Sequence, residues 1–246
     1  MFTQRTDHVP VHTPFWKQRS WIVAAAFLAL VVLVSLVSAV TSAGADRRTA
    51  GADEPRPLSA RPAGSSDRPG TCRTDDRVTA VPTKAPADVR WLTIEGSRVP
   101  ASRSAGPTRT DGPVLWCFAH TPLGAVMAAH VIPAQMNAPS WRAVVDQQVL
   151  PGFGRDLFAS QRESIGETAV RGRAIGVYAG FSLSRYDSRS ATVDLLVKSA
   201  QGALTASSVT MRWDGGDWKV QPASDGALHS GADAVRSADG FVQWEV

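Results

Sequence analysis

His120 and His130 are the residues whose side-chain type could most readily perform acid–base or metal chemistry. The two positions do not have the close spacing typical of paired metal ligands. His130 falls on the apolar face of a predicted helix, which favours a core histidine over a ligand or a base. His120 precedes that helix, and we expect it to bond a helix end or a neighbouring carbonyl.

The other polar residues do not form a pattern typical of a catalytic site. Asp214 and Asp217 are predicted turn residues, and Asp194 falls on the polar side of a predicted strand. The chain has no Gly-x-Ser-x-Gly elbow and no phosphate-binding glycine loop. The Gly-Phe-Gly run at residues 152–154 is interpreted as a turn between helices. The sequence therefore predicts no catalytic residue, no metal and no cofactor.

Residues 21–43 form an uncharged apolar run that is long enough to cross a bilayer, which takes about 20 helical residues. We predict a transmembrane helix here. An alternative is a cleaved signal peptide ending at Ala43-Gly44-Ala45, although such apolar regions usually have only ~7–15 residues. The residues that define the predicted span are Trp21, Ile22, Leu28, Leu33 and Val40.

The predicted span divides the chain into four parts: a cytoplasmic tail (1–20), the span (21–43), a linker (44–88) and an exported domain (89–246). Charges flank the run on both sides and do not settle its orientation. A single N-terminal span usually exports the larger C-terminal part. We therefore expect a single-pass protein of the cell membrane with its domain outside the cell.

Composition limits what the linker and the domain can be. The linker is rich in Pro, Ala, Arg, Ser, Gly and Asp, and such a segment buries too little apolar surface to fold alone. The net charge of +4 is scattered, so we expect no direct nucleic-acid binding. Cys72 and Cys117 could form one disulfide in an exported domain. The alternative is two unpaired thiols.

Within the domain, helical periodicity precedes alternating periodicity. Thr121 and Pro122 predict the start of a first helix, and Ser140 is predicted to cap a second. A third short helix is expected over residues 155–162. Inward strand positions are predicted at Ile175, Val177, Ala179, Phe181, Leu183, Ala191, Val193, Leu195, Val197, Val209, Met211 and Trp213. Asp214-Gly215-Gly216-Asp217 predicts a tight hairpin, so the fold class is α+β with helices on an antiparallel sheet.

Several stretches of the chain together resemble a known family. Trp91, Gly96 and the run of residues 117–125, CFAHTPLGA, are followed downstream by AIGV at residues 174–177 and by DWKV at residues 217–220. Together they resemble an uncharacterised actinobacterial domain attached to single membrane spans in integrative conjugative elements. The layout is also similar to the curved, nuclear-transport-factor-two-like cone of VirB-eight-like and TcpC-like exported subunits of type IV secretion systems.

The resemblance implies a non-catalytic structural or assembly component of a conjugation apparatus. Its expected partners are the membrane, through one span, and other proteins of that apparatus, with a homo-oligomer as a further option. The alternative is an exported enzyme or a ligand-binding module that uses the interior of the cone. The residues expected near such a pocket are His130, Trp141 and Phe181.

Overall fold

The computed structural model describes residues 70–110, 112–165 and 176–244. All of them lie in the compact unit Pro55–Val246. In these ranges the helices are α1 (Pro122–Gln135), α2 (Trp141–Gln148) and α3 (Phe153–Ile165). The strands are β1 (Val89–Ile94), β2 (Ser97–Ser102), β3 (Val177–Tyr186), β4 (Ser190–Lys198), β5 (Leu204–Asp214), β6 (Asp217–Val220), β7 (Asp233–Val235) and β8 (Val242–Gln243).

The described strands form two antiparallel sheets. β1 and β2 pair with each other through the turn at Glu95 and Gly96, both of which have left-handed backbones. The larger sheet has the order β6-β5-β4-β3-β8, with β7 also paired to β5. β2 contains a proline, yet its residues from Val99 to Ser102 are buried.

Helix α1 is the centre of the domain. It contacts β2 of the small sheet and β3, β4, β5 and β6 of the larger one. Nearly every side chain of α1 is therefore buried, including Ala125, Met127 and Ile132. The sequence predicted a single apolar face, but a helix that is apolar all round is buried all round.

The ends of the helices agree with the sequence only in part. Thr121 caps α1 as predicted, because its Oγ1 accepts a hydrogen bond from the Gly124 backbone N–H at 3.0 Å. Pro133 lies within α1, which continues to Gln135. Ser140 makes no side-chain cap for α2, and its hydroxyl instead donates to the Pro113 carbonyl. Helix α3 is longer than predicted at both ends.

A β-bulge changes which side chains of β3 face the core. The register between β3 and β4 shifts between Tyr178 and Gly180, where one extra residue is inserted in β3. Phe181 is buried as predicted, but the buried residue before the bulge is Tyr178, and Val177 is 47% exposed. The predicted alternation is therefore wrong before Phe181, because a sequence pattern of period two does not reveal a bulge. Ile175 lies outside the described residues.

The predicted hairpin and disulfide are both confirmed. β5 and β6 pair up to Asp214 and Asp217, and the connecting Gly215 and Gly216 both have positive φ, which suits a tight hairpin turn. Cys72 and Cys117 form a disulfide with their Cα atoms 5.6 Å apart. The bond ties the chain before β1 to the segment that leads into α1.

The predicted fold class requires correction. It placed a single transmembrane helix before a curved cone, but no helix in the described ranges is long and apolar enough to cross a membrane. The described helices have 14, 8 and 13 residues, short of the ~20 that a span requires. The predicted span itself, residues 21–43, lies outside the described residues. In the described ranges the arrangement is three helices with two antiparallel sheets, so the transmembrane and cone assignments are not retained.

Candidate functional site

The segment of residues 117–121, CFAHT, is held by hydrogen bonds to several distant parts of the chain. Its partners lie before β1, between β2 and α1, in β6 and in the β3–β4 turn. Asp217 at the start of β6 provides the central interaction. Its carboxylate accepts hydrogen bonds from the backbone N–H groups of Cys117 at 2.8 Å, Phe118 at 2.8 Å and Trp218 at 3.0 Å.

The Asp217 carboxylate and the disulfide together fix a strained backbone. Cys117 has φ of 76°, a left-handed conformation that a residue with a Cβ adopts at a free-energy cost of roughly 1–3 kcal/mol. Sequence analysis identified Asp217 as a turn residue, and the structure places it directly after the turn, as the first residue of β6. Its second role is to accept hydrogen bonds from the backbone of Cys117 and Phe118. The nearby sequence could not predict this role, because these residues lie about a hundred positions earlier in the chain.

His120 lies in the same segment and is fixed by aromatic and polar contacts. Its ring stacks on Trp213 with centroids 3.8 Å apart and planes 10° apart. Its Nε2–H donates to the Ser188 carbonyl at 2.5 Å, and its backbone N–H donates to Asp76 at 3.0 Å. The expectation that His120 bonds a neighbouring carbonyl is therefore confirmed. Its ring joins the loop before α1 to the β3–β4 turn.

His130 is fully buried on α1 and has both ring nitrogens in hydrogen bonds. Nδ1–H donates to the Val126 carbonyl at 2.8 Å, and Nε2 accepts from the indole N–H of Trp244 at 3.3 Å. The ring also meets Tyr178 and Trp244 edge-on, with centroids 4.8 and 5.3 Å away. This burial lowers the pKa of His130 to about 4, against a weaker opposing effect of the hydrogen bond to Val126. His130 is therefore a neutral core histidine at pH 7.

The burial of His130 predicts that the stability of the domain depends on pH. Its pKa is about 4 in the folded protein and about 6.5 when unfolded, so the unfolded chain binds more protons between these values. Stability therefore falls as the pH drops below 6.5, by about 1.4 kcal/mol per pH unit and about 2 kcal/mol by pH 5. Chemical denaturation at pH 7 and pH 5 measures this change. A His130→Gln variant should lose that contribution, and an equal pH dependence in the variant would contradict it.

The residues expected near a pocket do not share one site. His130 and Phe181 are neighbours, with ring centroids 6.4 Å apart in an edge-on arrangement. Trp141 packs elsewhere, edge-on to Phe158 at 6.5 Å and beneath the guanidinium of Arg162 at 5.1 Å. All three side chains have 2% or less of their surface exposed, so they contribute to the core.

Two buried glutamines show how polar groups are used inside the domain. Gln135 accepts from the Leu115 backbone N–H at 2.7 Å and donates to its carbonyl at 3.2 Å. Gln148 also donates to that carbonyl, and its own oxygen accepts from Gln135 at 3.1 Å. These amides satisfy the backbone of Leu115, next to the isolated bridge that pairs Trp116 with Arg109. Sequence analysis did not predict this network.

A surface cleft of about 390 Å³ lies where α3 begins. We call it the arginine cleft, because Arg155 of α3 and Arg212 of β5 both line it. The remaining lining residues are Leu150, Pro151, Gly152, Gly154, Gln221 and Pro222. Sequence analysis interpreted residues 152–154 as a turn between helices, which is wrong for Phe153 and Gly154 because they begin α3. It singled out neither arginine. No local pattern indicated them, because they come from elements far apart in the sequence.

Metal-binding groups do not cluster in the part of the chain that the structure describes. Three or more His, Cys, Asp or Glu side chains do not converge there in an arrangement that could hold an ion. The geometry instead defines a disulfide-linked α+β domain. The polar side chains described above, such as Asp217, Gln135 and Gln148, form hydrogen bonds with the protein's own main chain.

Residues 53–243 match the sequence model of the family DUF8175, a domain of unknown function. Because the match covers most of the chain, the protein belongs to this family. No curated protein and no solved structure matches the chain.

Proposed function

We propose that this protein is an exported, non-catalytic assembly component of a conjugation apparatus. The observation that carries the non-catalytic part is the environment of His130, the strongest candidate for acid–base chemistry. Its ring is fully buried and neutral at pH 7, and both nitrogens bond protein groups. A general base must instead reach a substrate proton.

The disulfide supports export. Disulfides form and persist in oxidising compartments and are rare in the reducing cytosol. Cys117 is completely buried, and its bond to Cys72 anchors the chain that precedes β1. A domain with this bond is suited to work outside the cytoplasm, where the exposed parts of a transfer apparatus are assembled.

The conjugation role rests on the sequence resemblance around residues 117–125. The structure gives this stretch a physical reason to be distinctive. It contains the disulfide, the strained Cys117, the stacked His120 and the Thr121 cap. Such a segment makes the domain rigid, and a component that positions other proteins needs a rigid domain.

Deletion of the gene from a donor cell tests the proposal. We expect transfer of the conjugative element to fall by orders of magnitude, because an assembly component is needed for every transfer event. The gene supplied in trans should restore transfer. Unchanged transfer from the deletion strain would contradict the proposed function.

A further inference from the structure

The arginine cleft has fixed walls. One wall follows α2, where the Leu150 backbone N–H donates to the Val220 carbonyl at 2.9 Å. At the start of α3, the backbone of Gly154 lies so close to the 222–223 segment that a Cβ there would be 2.6 Å from the Ala223 carbonyl oxygen. The cleft is therefore a property of the folded domain. Its volume of about 390 Å³ falls at the lower end of the ~300–1,000 Å³ of known ligand sites.

The lining of the cleft is positively charged. Its lining residues include Arg155 and Arg212 and no acidic residue. Arg155 forms an ion pair with Asp156 at 3.6 Å, and the charge of Arg212 acts on Asp187. Neither aspartate lines the cleft. Guanidinium groups bind carboxylates through paired, charge-assisted hydrogen bonds, so the cleft complements an acidic group.

An exposed aromatic residue stands in the chain between two residues that line the cleft. Phe153 stands between two lining residues, Gly152 and Gly154, and is 74% exposed. It is the most exposed large hydrophobic side chain in the described part of the chain. Aromatic residues and arginines are the side chains most enriched at the energetic centres of protein interfaces.

We propose that the arginine cleft binds an extended acidic segment of a partner protein. Arg155 and Arg212 bind its carboxylates, and Phe153 packs against an adjacent apolar side chain. The inference rests on the proposed assembly function, for which it identifies a contact surface and the chemistry of a partner.

The chemistry favours an acidic peptide over a nucleic acid or a free anion. Nucleic-acid surfaces extend a basic stripe along a face, whereas here two cations share one cleft and the chain's net charge of +4 is scattered. A free anion would make no use of Phe153. An acidic segment with apolar neighbours uses both features.

Binding of labelled hexapeptides to the full-length, oxidised protein tests the inference. The probe alternates Leu and Glu, and the matched peptides alternate Leu with Gln and Leu with Lys. We expect the Leu–Glu peptide to bind at least about tenfold more tightly than either, a difference of about 1.4 kcal/mol. The Arg155→Gln/Arg212→Gln variant should lose about tenfold or more of that affinity. Phe153→Ser should weaken it several-fold.

Arg236→Gln provides the matched control, because Arg236 is exposed and does not line the cleft. It should leave binding unchanged, and thermal unfolding should show that all variants fold. The inference is overturned if the Leu–Glu peptide does not bind or if the Leu–Gln peptide binds equally well. It is also overturned if the double arginine variant retains full affinity for the Leu–Glu peptide. The same holds if inorganic phosphate displaces the peptide and binds the Phe153→Ser variant with the same affinity as the unsubstituted protein.

Transfer assays separate this inference from the proposed function. A folded double arginine variant should reduce transfer, as gene deletion does. If the variant loses peptide binding but transfers normally, the cleft is not the partner site, while the deletion result still decides the assembly role. If deletion leaves transfer unchanged, the assembly role fails, whatever the peptides show.

Discussion

Replacing Phe181 by alanine is expected to lower the free energy of unfolding by about 3–5 kcal/mol. Phe181 has no exposed surface and lies on β3 opposite Leu195 of β4. Its ring is 4.7 Å from that of Trp244 and 6.4 Å from that of His130. Removing the ring leaves a cavity among large, fixed side chains that cannot collapse into it. Urea denaturation followed by tryptophan fluorescence measures the change.

Phe153→Ala is the matched control for this prediction. It removes the same side chain from a site that is 74% exposed, so the free energy of unfolding should change by no more than about 0.5 kcal/mol. A loss below about 1 kcal/mol for Phe181→Ala would mean that its side chain does not face the core, as a one-residue slip of β3 would produce.

Reducing the disulfide is expected to lower stability by about 4 kcal/mol. Cys72 and Cys117 are separated by 45 positions, and on the chain-entropy model a cross-link of that span restricts the unfolded chain by this amount. Denaturation with and without reductant measures the difference. The bond also fixes the left-handed Cys117, so its loss should loosen the 117–121 segment.

The Cys72→Ala/Cys117→Ala variant is the control for the reductant. Its stability should be low and the same with or without reducing agent. Wild-type protein should have no free thiol before reduction. Two titratable thiols in the native, unreduced protein would contradict the disulfide.

The local parts of the fold could be predicted because their causes are local. Thr121 and Pro122 begin α1 through cap chemistry, and two glycines close the β5–β6 hairpin. The β3 bulge and strand β2 could not be predicted in this way. The bulge depends on pairing with β4 and β8, and β2 is polar and is stabilised by β1 and α1.

The site depended even more on distant contacts. The core role of His130 was predictable from helical spacing, but its acceptor bond from Trp244 spans 114 positions. The interaction of Asp217 with Cys117 spans 100 positions. Arg155 and Arg212 meet at one cleft only because α3 begins beside β5 and β6. Sequence patterns detect none of these pairings, because each depends on how the elements pack together.

The central claim is that the histidines serve the structure of an assembly component and perform no catalysis. The most direct test is transfer of the conjugative element by a donor whose only copy carries His120→Asn and His130→Gln. Abundance and thermal unfolding establish whether the variant is folded, and His120→Asn alone provides a milder change at the surface. We predict that the folded variant supports transfer near the wild-type frequency. A folded, normally abundant variant that transfers no better than the gene deletion would contradict the account and indicate an enzyme.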